Sequence, residues 1–147
     1  MPVAELCTRE VVVVNRSETV LEAAKLMRHQ HVGDVVVVEE GSGIPVGIVT
    51  DRDIVVEIIA NGLDPASISV GEIMVPELAT VGSGQGLFET IEYMRSKGVR
   101  RLPVVGEDGK LIGILALDDI LELLAEELSG IARLVKSGRK REERTRL

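Results

Sequence analysis

The sequence predicts an α/β fold built from two copies of one strand–helix–strand–strand–helix unit, packed sheet against sheet about a pseudo-twofold axis. Three observations predict it. Short β-branched runs alternate with segments of helical spacing along the whole chain. The order of these segments repeats about halfway through the 147 residues. A unit of roughly 60 residues buries little apolar surface alone, so two such units are expected to share a core.

The elements follow in order. Residues 1–10 form a lead-in without a clear period. Val11 to Val14 is a β-branched run that reads as a strand. Thr19 and Glu22 form a capping box, and Val20, Leu21, Ala24 and Met27 carry helical spacing to about Gln30. Val35 to Val38 is a continuous apolar strand, as expected when both faces are covered. Pro45 to Val49 is the next strand, and a helix runs from about Asp51 to Ala60, where Asn61-Gly62 stops it. A connection containing the short apolar piece Val70 to Met74 is broken by Pro76. The order then restarts: a strand at Ala79 to Val81, a helix from Leu87 to Lys97, strands at Leu102 to Val105 and Leu111 to Ala116, and a last helix from near Leu117.

At a shift of 67, Glu22, Met27, Arg28, Val32, Val37 and Val38 meet identical residues in the second half. With one residue fewer in the second turn, Gly43, Gly47, Ile48, Asp53 and Ile54 match Gly109, Gly113, Ile114, Asp119 and Ile120. One register with a single gap marks an internal repeat. The domain boundaries read from it are 1–66 for the first repeat, 67–77 for a linker, 78–131 for the second repeat and 132–147 for a basic tail.

Composition narrows the function classes. Hydrophobic residues make up 45% and charged residues 28%, a globular balance. Apolar runs are strand-sized, and the N-terminus lacks a basic segment followed by an apolar core, so neither a membrane span nor a signal peptide is expected. The one cysteine, Cys7, has no internal partner for a disulfide, and a cytoplasmic location is the default. Net charge is −7 but uneven: residues 133–147 hold seven of the 17 basic side chains and only two acids, a local +5 against −12 elsewhere. An acidic body disfavours a polyanion, and a core almost without aromatic residues disfavours base stacking, so nucleic acid is not the expected partner. His29 and His31 lie two apart without further ligands at metal-site spacing, and Met27 and Met94 read as core.

The most informative stretch is Gly47 to Asp53, where a strand runs into a helix with almost no loop. Thr50 sits at the N-cap and Asp53 three residues later, which makes a well-capped helix start. The same polar corner can also bind a sugar hydroxyl or a phosphate at the positive end of the helix. Recurrence of the corner at Gly113 to Asp119 favours the second use.

Two such copies resemble a tandem cystathionine-β-synthase (CBS) domain pair of the stand-alone prokaryotic kind. The carriers are the helix Val20-Leu21-Glu22-Ala23-Ala24-Lys25-Leu26-Met27, the strand Val99-Arg100-Arg101-Leu102-Pro103-Val104-Val105, and Val46 to Ile54. The resemblance covers roughly residues 3–128. It implies a non-enzymatic regulatory module that binds adenosine-containing ligands (AMP, ADP or ATP) in clefts between the repeats, with no required cofactor and no metal. Gly47, Thr50 and Asp53 match the family's Gly-x-x-Thr-x-x-Asp motif, in which Asp holds the ribose hydroxyls and Thr supports ribose or phosphate. Asp51 and Arg52 flank them, Arg52 as a phosphate contact. Arg100 and Arg101 occupy the family's phosphate-contacting place, and Thr80, Val81, Leu102 and Pro103 are implied to lie against adenine.

The second copy departs from the motif. Ala116 replaces Thr50, and only Asp119 remains of the ribose-binding pair; Gly33 and Asp34 replace the double Arg. One good site and one degraded or differently selective site are therefore expected. The last helix keeps apolar spacing from Ile120 to Val135, past the repeat's normal end, and predicts a homodimer in which these helices pack together. Lys136 to Leu147 is expected to fray into solvent. An unidentified regulated protein is the implied further partner. Other readings are a sensor of S-adenosylmethionine or NAD, a nucleotide-phosphate enzyme, or a structural dimer with vestigial clefts and a nucleic-acid-touching tail.

Overall fold

The computed structural model describes residues 1–146. They fall into two compact units, Met1–Leu115 and, from Ala116 on, a second. The first unit holds both sheets except Ala116, the last residue of the second. One is β1 (Val13–Asn15), β2 (Asp34–Val38) and β3 (Pro45–Thr50), in that spatial order; the other is β4 (Val81–Gly82), β5 (Arg101–Val105) and β6 (Leu111–Ala116). The repeat is carried into the pairing: Val14 lies beside Val37 in the parallel β1–β2 pair, and their equivalents Val81 and Val104 lie together in β4–β5.

Helix α1 (Val20–Gln30) carries the predicted capping box, with Thr19 Oγ1 accepting from the Glu22 N–H at 3.1 Å and the Glu22 carboxylate accepting from the Thr19 N–H at 3.0 Å. It buries Val20, Ala23 and Met27 against Val35 and Val37 of β2. Every valine of β2 is buried, which explains the unbroken apolar run. Its equivalent, α4 (Leu87–Lys97), buries Leu87, Thr90 and Met94.

Three local features differ from the sequence expectations. The helix after β3 begins as one α-turn, α2 (Asp51–Asp53), and continues as a π-helix over Ile54–Ile59. Its wider winding is seen in the Ala60 N–H to Val55 carbonyl bond of 2.9 Å and the Leu63 N–H to Ile58 carbonyl bond of 3.0 Å. Ile54, Val55, Val56, Ile58 and Ile59 are all β-branched, the class that crowds the preceding turn of a tight α-helix. The lead-in is not featureless, because Val3–Glu5 forms a 3₁₀ turn with Val3 wholly buried. The segment expected to fray is helical as far as Thr145, Leu147 lying outside the described residues: α5 runs from Leu117 to Thr145, 29 residues and about 43 Å.

The lead-in and the linker helix α3 (Val70–Ile73) turn out to be repeat equivalents, with Val3 matching Val70 and Glu5 matching Glu72. Each packs on the repeat that does not follow it. The lead-in bonds to the second repeat, through Val3 N–H to the Gln85 carbonyl and a reciprocal 2.9 Å pair between Thr8 and Ile114. The α3 segment bonds to the first, through Val70 N–H to the Glu18 carbonyl and Gly71 N–H to the Arg16 carbonyl. The exchange explains two glycines. A Cβ at Gly47 would lie 2.6 Å from Met74 Sδ, and one at Gly113 would lie 2.7 Å from Cys7 Sγ. Cys7 and Met74 are themselves equivalents, so both repeats need a glycine where the exchanged segment crosses the third strand.

Candidate functional site

Thr50 ends β3 and caps α2. Its Oγ1 accepts from the Asp53 N–H at 3.1 Å, and Asp53 Oδ2 accepts from the Thr50 N–H at 2.8 Å. The reciprocal box fixes both side chains. It leaves the Thr50 hydroxyl hydrogen and Asp53 Oδ1 for other partners. Both residues line a cleft of about 550 Å³, inside the roughly 300–1,000 Å³ range of small-molecule sites.

The cleft joins the repeats within the first unit. Ile48, Thr50 and Asp53 come from the first repeat's corner. Val75, Glu77, Leu78 and Ala79 come from the stretch between α3 and β4. Tyr93 and Lys97 come from α4, and Val99, Arg100 and Arg101 from the approach to β5. Apolar side chains thus line it alongside two carboxylates, Asp53 and Glu77, and three cations. Lys97 Nζ sits 5.9 Å from the Tyr93 ring centre, a cation–π approach that holds the ammonium at the cleft.

Of the sequence-derived candidates, Thr50, Asp53, Arg100 and Arg101 are brought together here. Asp51 and Arg52 are exposed and outside the lining, and Asp51 Oδ1 accepts from the Arg52 N–H at 2.8 Å. Val81, Leu102 and Pro103 are buried in the sheet, and Thr80 is half-buried; none of the four lines the cleft. Leu78 and Ala79, just before β4, do line it. Asp119 lies on α5 in the second unit, where its Oδ2 accepts from the Ala116 N–H at 3.1 Å. With Ala at the cap, only this half of the box exists.

Sequence reasoning missed Tyr93 and Lys97. A signal existed: the one tyrosine stands four residues before a lysine, on a helix whose core face is Leu87, Thr90 and Met94. It also missed the state of Arg101, whose Nε is 2.9 Å from Asp34 Oδ2. Burial pushes the Asp34 carboxyl above its ordinary range; Arg101 pulls it back down, and the neighbouring Asp51 carboxylate adds to the rise. Among the described residues no cluster of three or more His, Cys, Asp or Glu is placed to hold a metal ion. No helix among them is long and apolar enough to cross a membrane.

Comparison with known proteins agrees with this architecture. The family model for the CBS domain matches twice, at residues 3–60 and 70–126. The protein MK0525 of Methanopyrus kandleri is 38% identical over 121 residues, 82% of this chain and 61% of that relative, so this chain spans less than two thirds of it. Hypoxic response protein 1 of Mycobacterium tuberculosis is 33% identical over 127 residues, 86% of each chain. A crystal structure of Hypoxic Response Protein I, with two coordinated zinc ions, superposes with a TM-score of 0.73 at 30% identity, covering 83% of this chain and 98% of that one. The cytosolic domain of the Mg²⁺ channel MgtE, in complex with ATP, is 32% identical with a TM-score of 0.69, over 80% of this chain and 46% of that one. The family model's match to both halves of the chain, each half with its own three-stranded sheet, makes this chain a member of the CBS family, a tandem pair of CBS domains.

Proposed function

We propose that the chain is a non-enzymatic sensor of adenosine-containing ligands, and that the Thr50–Asp53 cleft is its principal site. One observation carries the reading: a fixed, partly free carboxylate faces an apolar-lined cleft rimmed by Lys97, Arg100 and Arg101. A carboxylate that accepts from two vicinal hydroxyls is selective for ribose. The apolar lining suits a base and the cations suit phosphate. ATP in the related MgtE domain supports the ligand class. Bound ligand would bridge the two repeats, and it would shift their arrangement only as far as its affinities for the two arrangements differ.

Calorimetry of the native chain with adenosine, AMP, ADP, ATP, NAD and S-adenosylmethionine tests this. A saturable event with at least one adenosine-containing ligand is expected, and the strongest of them identifies the physiological class. No heat with any of the six removes the reading.

The output surface we infer is α5, with a second copy of the chain as its occupant. Leu117, Leu121, Leu124, Leu128, Ile131 and Val135 are all exposed, Leu128 to 69%. They alternate in steps of four and three, the seam of a coiled coil. Acids concentrate at Asp118 to Glu127 and bases at Arg133 to Arg141, so antiparallel pairing sets each half against its opposite charge. Leu128→Glu combined with Ile131→Glu is expected to convert a dimer to a monomer by light scattering. A dimer that survives both changes, or a native monomer, contradicts the inference.

A further inference from the structure

Asp34 and Arg101 occupy equivalent positions of the two repeats, 67 residues apart, and they are bonded to each other. Near a pseudo-twofold axis a residue meets its own equivalent, so two arginines or two aspartates there would repel. One of each closes an ion pair at 2.9 Å. The pair stands at the cleft. Asp34 is the register partner of Thr50 in the β2–β3 ladder, and Arg101 lines the cleft beside Thr50 and Asp53. Asp34 is the more enclosed member, with its side chain 17% exposed against 42% for Arg101. Neighbouring Arg100 forms no salt bridge among the described residues.

We propose that Asp34 is a specificity-determining residue: it occupies Arg101 as an internal stand-in for a ligand phosphate, and so sets how strongly the cleft prefers a nucleotide over the bare nucleoside. The inference rests on the adenosine reading of the cleft. A phosphate that reaches for Arg101 must either displace the Asp34 carboxylate or share the guanidinium with it at close range. Both carry a like-charge penalty in a partly desolvated place. The ribose and base meet no such penalty. The guanidinium has five N–H donors, so release from Asp34 would present a full fork to phosphate.

The test compares adenosine and AMP by calorimetry on the full chain. Asp34→Asn is expected to raise the ratio of AMP to adenosine affinity about tenfold. Adenosine affinity itself should stay within about twofold, which also shows that the cleft is intact. Adding Arg101→Ala to Asp34→Asn should return the ratio to the native value or below. A ratio unmoved by Asp34→Asn, or a gain that survives Arg101→Ala, overturns the inference while leaving the adenosine site standing. Absence of adenosine and AMP binding in the native chain overturns this inference, and the adenosine reading falls with it only where ADP, ATP, NAD and S-adenosylmethionine give no heat either.

Discussion

Asp53→Ala is expected to abolish ligand binding at the Thr50 cleft, weakening it at least about 100-fold, while the protein stays folded. The two halves of this expectation have separate causes. Each charge-assisted hydrogen bond from a ribose hydroxyl to the carboxylate contributes about 1.5–3 kcal/mol, and two are lost together. The same side chain also caps the helix, since Oδ2 accepts from the Thr50 N–H at 2.8 Å. Losing that acceptor costs about 1 kcal/mol, small beside the roughly 5–15 kcal/mol of a typical domain. Calorimetry should therefore lose its signal although the thermal transition moves by only a few degrees. Asp53→Asn separates the two roles: its amide oxygen can still take the Thr50 N–H, but it offers neither charge nor two acceptors to the diol. Stability near native with binding still strongly reduced is expected. The contrasting variant is Asp119→Ala, at a corner that has lost its Thr and its half of the capping box. It should leave the tighter event in place. If Asp119→Ala alone removed that event, the ranking of the two corners would be inverted.

The parts of the fold legible in the sequence are those written locally. Thr19-x-x-Glu22 and Thr50-x-x-Asp53 announce their caps within four residues, and Val35 to Val38 announces a strand covered on both faces. The repeat then carried the corner from a helix start to a candidate site. What stayed hidden depends on contacts distant in sequence. Val3 looks like any early apolar residue until it is paired with Val70, and only the exchange between repeats explains why both are fully buried. Arg101 reads as a free cation beside Leu102, and the replacement of the double Arg by Gly33-Asp34 reads as a loss of charge. The fold makes these one feature, because it brings residue 34 to residue 101. The π winding of Ile54–Ile59 has the same apolar residues as an ordinary helix, so periodicity alone does not disclose it.

Gly113→Val tests the exchanged architecture by sign as well as by size. Gly113 lies within β6, and at an uncrowded strand position valine in place of glycine is favourable, because it stiffens the unfolded chain and suits extended backbone. Here the added Cβ would stand 2.7 Å from Cys7 Sγ and 2.8 Å from the Thr8 carbonyl oxygen. That carbonyl cannot turn aside, since it accepts the Ile114 N–H while the Thr8 N–H bonds back to the Ile114 carbonyl. The lead-in must therefore lift from the second repeat or the strand must bend. A loss of about 3 kcal/mol is expected, about 10 °C in Tm for a chain of this size. Gly47→Val should cost less, because its nearest obstacle is the end of the flexible Met74 side chain, 2.6 Å away. Cys7→Ala in the Gly113→Val background should recover part of the loss by removing the sulfur but not the carbonyl. A Gly113→Val protein as stable as the native chain would mean that the lead-in does not cross β6 in solution, and the exchange between repeats would fall with it.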